Sequence, residues 1–146
     1  MNADPPPPTV RRIQSTSSQL LHRDLTQRII GVFFDVYNEL GPGFLESVYQ
    51  QAMALALEDA GLAVEREVAL EVRFRGRTVG SFRADLVVQR LVVLELKAGR
   101  RFEEAHERQL LNYLRATGVE VGLLVNFGPR PTFRRLVYRN DRKAGG

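Results

Sequence analysis

The chain has 146 residues, 44% hydrophobic and 26% charged, with a net charge of +4 at pH 7, which suits a single domain with a real core and leans towards an anionic partner. It has no cysteine, which excludes a disulfide scaffold, a zinc ribbon, a thiol nucleophile and a cysteine-bound iron–sulfur cluster, and His22 and His106 are too few for a multi-histidine zinc centre. No apolar run approaches the roughly 18 residues of a membrane span and no signal-peptide core opens the chain, so a cytoplasmic protein without membrane association is expected.

Residues 1–23 begin with a proline run, Pro5 to Pro8, and continue in Ser, Thr and Gln. They have little to bury and are expected as a disordered or loosely docked tail. Asp24 can cap a helix to about Leu40, with Leu25, Ile29, Val32, Phe33, Val36 and Leu40 on one stripe, stopped by Gly41-Pro42-Gly43. A second helix is expected from about Leu45 to Ala60, closed by Gly61 as a left-handed cap.

From Val64 the period changes to two, and Val68, Leu70, Val72 and Phe74 alternate with charged or small residues as in a half-buried strand. Arg75-Gly76-Arg77 turns the chain into a second strand, about Thr78 to Val88, and a third spans about Leu91 to Ala98. A helix over Glu103–Thr117, an apolar strand over Val119–Phe127 and a basic strand over Thr132–Tyr138 complete one domain, residues 24–139, before a flexible basic tail, residues 140–146. The order α-α-β-β-β-α-β-β predicts a mixed α/β fold: an antiparallel meander, then a crossover helix to a strand parallel to the third. Beyond Gly128, Arg130, Arg134, Arg135, Arg139, Arg142 and Lys143 face only Asp141, a pattern that fits either phosphate binding or a charged, solvated edge strand.

The pairing of the second and third strands carries most of the information. A one-residue slip would turn every side chain to the wrong face. With Gln89, Arg90 and Leu91 as the connection, Val88 opposes Val92, Leu86 opposes Leu94 and Ala84 opposes Leu96, which makes one face wholly apolar. The other face pairs Val87 with Val93, Asp85 with Glu95 and Arg83 with Lys97. A two-residue loop would set Asp85 against Leu94, so the apolar pattern selects the longer connection. Directly opposed β-carbons lie about 4.5–5.5 Å apart, where like charges are destabilising unless neutralised. Lys97 and Arg83 could do this, or a hard divalent cation could sit between the two acids. The valine pair on the same face predicts that it is covered. Helix residues suited to the cover are Glu46, Tyr49 and Gln50 on one side of the second helix, and His106, Gln109, Leu110 and Tyr113 on one side of the third. Taken alone, Glu46 reads as a helix-start acid and His106 as a surface or capping histidine.

Together these residues resemble a known family. Gly43-Phe-Leu-Glu46-Ser-Val-Tyr49 reproduces the G-x-x-E-x-x-Y signature of the GxxExxY proteins. Asp85 followed by Glu95-Leu96-Lys97 is similar to the D…E-x-K core of the PD-(D/E)XK nuclease superfamily, with Ala84 where the name-giving motif has proline. Gln109-Leu-Leu-Asn-Tyr113 resembles the Q-x-x-x-Y helix of its RecB-like and lambda-exonuclease-like branches. The resemblance runs from about Leu25 to Tyr138. It implies a restriction-endonuclease-like core and a metal-dependent nuclease that hydrolyses phosphodiester bonds by a metal-activated water, with DNA favoured over RNA by analogy alone. It also implies Mg²⁺ or Mn²⁺ on Asp85, Glu95, Glu46 and the Leu96 carbonyl, with Lys97 orienting the water or stabilising charge on phosphate. Tyr49, Gln109 and Tyr113 would line the site and touch substrate, while Arg134 and Arg135 would hold nucleic-acid backbone.

Two other readings belong to different classes: a non-catalytic nucleic-acid- or protein-binding module on the same scaffold, and a subunit of a defence or repair assembly. A chain of this length leaves little room for a separate recognition domain, so specificity is expected from a partner chain or from a homodimer.

Overall fold

A computed structural model describes residues 21–143. Residues 1–20 of the expected tail and residues 144–146 lie outside the described residues, whereas Leu21 packs at the edge of the core and Arg23 opens the first helix. Helix α1 (Arg23–Leu40) buries Thr26, Ile29, Phe33 and Val36 along the expected stripe. It is preceded by His22 at φ 53°, so Asp24 sits inside the first turn instead of capping it, where its charge meets the positive end of the helix dipole. Gly41, at φ 71°, ends the helix and donates its N–H to the Tyr37 carbonyl (2.7 Å).

Helix α2 (Glu46–Asp59) closes as the sequence predicts. Gly61 adopts φ 86°, its N–H reaches the Glu58 carbonyl (2.9 Å), and the Leu62 N–H reaches that of Leu57 (3.0 Å), the paired bonds of a Schellman stop. Tyr49 ties α2 to α1: its hydroxyl donates to the Gly41 carbonyl (2.6 Å) and accepts from the Phe44 N–H (3.1 Å), and its ring stacks on Phe127 at 4.2 Å. Tyr49 is completely buried, so the substrate contact expected of it is replaced by a structural role, that of staple for the turn between the helices.

Strands β1 (Val64–Phe74) and β2 (Arg77–Val88) form a ribbon around a two-residue turn, Arg75-Gly76, both at positive φ (52° and 77°) as a tight hairpin of right-handed twist requires. Strand β3 (Val92–Lys97) is only six residues long, so it backs just the base of the ribbon, and Val72, Phe74 and Val79 further out are exposed rather than half-buried. Helix α3 (Glu104–Ala116) crosses over to β4 (Val121–Phe127), which runs parallel to β3, and β5 (Pro131–Val137) pairs antiparallel with β4 at the edge. The five strands stand in the order β1-β2-β3-β4-β5. Residues 140–143, expected within a flexible tail, are held by a single 3-10 turn (Asn140–Arg142) and by the Lys143 ammonium, which donates to the Thr117 and Val119 carbonyls (2.7 and 3.0 Å).

Two apolar clusters divide the sheet. On one face α1 and α2 pack Ile29, Phe33, Met53 and Leu57 against Leu86, Val88, Leu94, Leu96, Leu123 and Val125. On the other, Leu110 and Tyr113 of α3 cover Val87, Val93 and Leu124, which is the cover expected for the valine pair. Among the described residues no helix is long and apolar enough to cross a membrane.

The role of Tyr49 gives a direct expectation. Tyr49→Phe keeps the stacked ring but strands the Gly41 carbonyl and the Phe44 N–H, and urea unfolding should show a loss of about 1–2 kcal/mol. A variant as stable as the wild type would show that the hydroxyl staples nothing.

Candidate active site

The base of the β2–β3 hairpin has the expected register: Val88 opposes Val92, Val87 opposes Val93 and Leu86 opposes Leu94, across the connection Gln89-Arg90-Leu91. Beyond Leu86 the ladder stops. The Asp85 N–H donates to Glu95 Oε2 (3.2 Å) and the Leu96 N–H donates to Asp85 Oδ2 (2.8 Å), so each acid takes a backbone donor from the opposite strand in place of a carbonyl. On the other flank Glu67 adopts φ 51° and leaves the β1 ladder, and the Gln50 side chain of α2 donates to the vacated Asp85 carbonyl (3.1 Å).

This break reverses β2. Leu86 and Val88 face α1 and α2, but Ala84 lies with Val68, Leu70, Phe82 and Tyr113 on the α3 side. The expected opposition of Ala84 and Leu96 therefore does not form: strict alternation holds only while the ladder is continuous, and side-chain bonds replace it at Asp85.

The two carboxylates sit in an unusual electrostatic setting. Burial pushes Glu95 up to about 8, with the Asp85 charge adding to it; the Asp85 N–H and Lys97 oppose the shift, and Glu46 adds to it. Asp85 is also raised, chiefly by burial, with the Leu96 N–H and Lys97 opposing and Glu46 and Glu67 adding. Neither expected basic partner forms an ion pair with the acids. Arg83 pairs with Glu67 (3.2 Å), and among the described residues no ion pair joins Lys97 to Asp85 or Glu95. Lys97 instead packs with Gln109 and His106 near Glu95 and, with Glu46, lines an opening of about 610 Å³.

Glu46, Asp85, Glu95, Lys97 and Gln109 are thus brought to one region. Tyr113 is not presented to a ligand, because it is completely buried beneath the acids with its ring edge-on to Phe82. Burial, and then the charges of Glu95 and Asp85, hold its phenol protonated, and among the described residues its hydroxyl has no hydrogen-bond partner. Arg134 lies on the α3 side, paired with Glu107 (3.4 Å) and stacked over Phe102. Its neighbour Arg135 faces the opposite way, as alternation demands, and bonds the Leu21 carbonyl and Thr26 Oγ1 at the start of α1, so it is not a surface for backbone phosphates.

Three contributors carry no advance signal strong enough to assign them a role. Gln50 shows only its helical position, and its use depends on the bulge at Glu67. His106, expected at the surface, lines the same opening and has a buried Nδ1 without a hydrogen-bond partner among the described residues. Buried Asn126, opposite Lys97 on β4, accepts from the Gly99 N–H (3.0 Å) and donates to the Gly99 carbonyl (2.8 Å), fixing the loop that follows Lys97.

Asp85 and Glu95 suit a divalent cation: hard oxygen donors, adjacent, partly shielded from water and not neutralised by an ion pair. Among the described residues no third His, Asp or Glu side chain is gathered with them into a ready-made shell, and Glu46 acts on them through its field from an exposed position.

A mixed five-stranded sheet between helical layers, with Asp85 on one central strand and Glu95 and Lys97 on the next, defines a restriction-endonuclease-like nuclease fold. Residues 23–136 match the family model of the PD-(D/E)XK nuclease superfamily, and the chain belongs to that superfamily. Its nucleases generally use divalent metals. A solved crystal structure, that of SSO0001, aligns with a TM-score of 0.50 and 24% identity, over 64% of this chain and 50% of that one. That likeness concerns the fold, and the match spans about half the length of the solved chain. No curated protein matches the chain.

The raised acids predict a pH dependence in metal-free buffer. Glu95 keeps its proton in the folded state up to about pH 8 but loses it near 4.5 when unfolded, so stability should fall as pH rises between those values. Urea unfolding in EDTA should show a loss on the order of 2–4 kcal/mol between the ends of that window. Glu95→Gln should remove most of it and be more stable than wild type at the alkaline end. Equal pH slopes for the two proteins would contradict the strained acid pair.

Proposed function

We propose that this chain is a divalent-metal-dependent nuclease that hydrolyses phosphodiester bonds through Asp85, Glu95 and Lys97, with DNA favoured over RNA. The single observation that carries this reading is the acid pair held together by reciprocal backbone bonds, with no ion pair to either acid among the described residues and with Lys97 two residues beyond Glu95 on the same strand. Side chains so arranged lower stability and repay their cost only when a cation or substrate is present.

Bound there, Mg²⁺ or Mn²⁺ would supply Lewis acidity at the phosphoryl oxygens and a more acidic water. Asp85 and Glu95 would hold it, with the Leu96 carbonyl and Glu46 as further donors. Lys97, two residues beyond Glu95 and lining the adjoining opening, would stabilise negative charge on a phosphate or orient the attacking water. Gln109, exposed on α3 beside it, can hydrogen-bond a sugar-phosphate oxygen. The GxxExxY and Q-x-x-x-Y resemblances support the roles of Glu46 and Gln109 in the manner of the RecB-like branch. Action in the cytoplasm, with a homodimer or a larger assembly supplying specificity, completes the proposal. A second reading, the non-catalytic binding module, is favoured by one feature, the exposed position of Glu46, which among the described residues is not gathered with the two acids into a metal shell.

Incubation with labelled single-stranded and duplex DNA and RNA separates the two. Cleavage should require Mn²⁺ or Mg²⁺ and should fall at least ~100-fold in Lys97→Ala and Asp85→Asn, provided that both variants keep their circular dichroism and cooperative melting. A folded Lys97→Ala that cuts as fast as wild type would refute the catalytic assignment. Oligonucleotide binding with no cleavage under any metal would favour the binding module.

A further inference from the structure

The loop after β3 and the β4–β5 turn are clipped together. Besides the two Asn126 bonds to Gly99, Gly128 lies so close to the Gly99 carbonyl that a β-carbon there would overlap it, and the Tyr37 hydroxyl reaches the Gly128 and Pro129 carbonyls (2.9 and 2.8 Å) from the other face. The clip sets Arg100 and Arg101 opposite Arg130 across a groove of about 550 Å³, walled by Phe102 and Arg134. The two acids of that groove are already engaged, Glu104 by Arg108 (3.5 Å) and Glu107 by Arg134 (3.4 Å). Among the described residues no carboxylate pairs with Arg100, Arg101 or Arg130. Arg100 and Arg101 also line the opening that holds Glu46, Lys97, Glu103 and His106, so the basic groove adjoins the opening at Lys97, two residues from Glu95.

We infer that this groove binds the phosphodiester backbone of a nucleic-acid strand, with Arg100, Arg101 and Arg130 on successive phosphates, and leads the strand to Asp85 and Glu95. The inference rests on the nuclease reading and deepens it by naming the path of the substrate. Three exposed guanidiniums lining one groove, its walls fixed by a backbone clip, suit a polyanion, and guanidiniums that contact phosphate and not bases make binding insensitive to sequence. Two other basic clusters lack such a continuation to the site: Arg73, Arg75 and Arg77 at the tip of the β1–β2 ribbon, where Arg73 is paired with Glu71 and Arg75 lies over Phe74, and Arg115, Arg142 and Lys143 around Tyr138.

The test is fluorescence anisotropy in EDTA with labelled single-stranded DNA, duplex DNA and RNA of one sequence. The triple variant Arg100→Ala/Arg101→Ala/Arg130→Ala should bind the best of these at least tenfold more weakly, with the slope of log K against log salt smaller by about two to three. Arg73→Ala/Arg75→Ala/Arg77→Ala, with the same loss of charge, should bind within about twofold of wild type. Arg130→Glu, on an exposed turn, carries the comparison should the groove triple not fold. Equal weakening by both triples, a larger effect at the ribbon tip, an unchanged salt slope or no binding to any oligonucleotide would overturn the inference. Cleavage is scored separately on wild type with Mn²⁺. A groove that binds with no cleavage under any metal leaves this inference standing and removes the nuclease reading, while cleavage with binding untouched by the groove triple does the reverse.

Discussion

Everything at the candidate site depends on one exchange of hydrogen bonds. At Asp85 and Glu95 the β2–β3 ladder gives way to carboxylates that accept the Asp85 and Leu96 N–H groups. A regular ladder would have left the two acids as an ordinary cross-strand pair, free to turn towards solvent. The exchange holds them in a partly buried position where burial raises the affinity of both for a proton and the Asp85 charge raises that of Glu95 further. It also releases β2 from its alternation, so that Ala84 and Phe82 turn to the α3 side. The freed groups are still satisfied: Gln50 takes the Asp85 carbonyl, as the rule for part-buried polar backbone requires.

The fold was legible because its elements obey local rules. The Schellman stop at Gly61 and the stripe of α1 each rest on a period or a residue type visible in the chain. So does the hairpin register from Val88–Val92 to Leu86–Leu94. Prediction failed where a side chain replaced a backbone partner. Period two continued through Asp85 predicts Ala84 opposite Leu96, and no local pattern announces that Glu67 will leave the ladder or that Gln50 will fill the gap. Boundaries shifted by a residue or so for the same reason, as with Asp24, which charges the first turn instead of capping it.

The candidate site divides along a similar line. Asp85, Glu95, Lys97, Glu46 and Gln109 converge because hairpin register and helix spacing together fix their faces. The two tyrosines illustrate the opposite case. An aromatic ring with a hydroxyl serves equally as a ligand contact or as a core residue with a polar handle, and here Tyr49 staples a turn while Tyr113 underlies the acids. Arg134 and Arg135, adjacent in a strand, could not both face one ligand, and the packing of α1 on one side of β5 decides between them. The basic residues that do border the opening, Arg100 and Arg101, are positioned by Asn126 and Gly128 from a distant strand, a relation that exists only in three dimensions.

Anomalous scattering from a crystal of the protein soaked in Mn²⁺ would test the central claim most directly. The account requires a single strong peak in contact with carboxylate oxygens of both Asp85 and Glu95. A site empty of manganese, with the Lys97 ammonium drawn in to bridge the two acids, would contradict it.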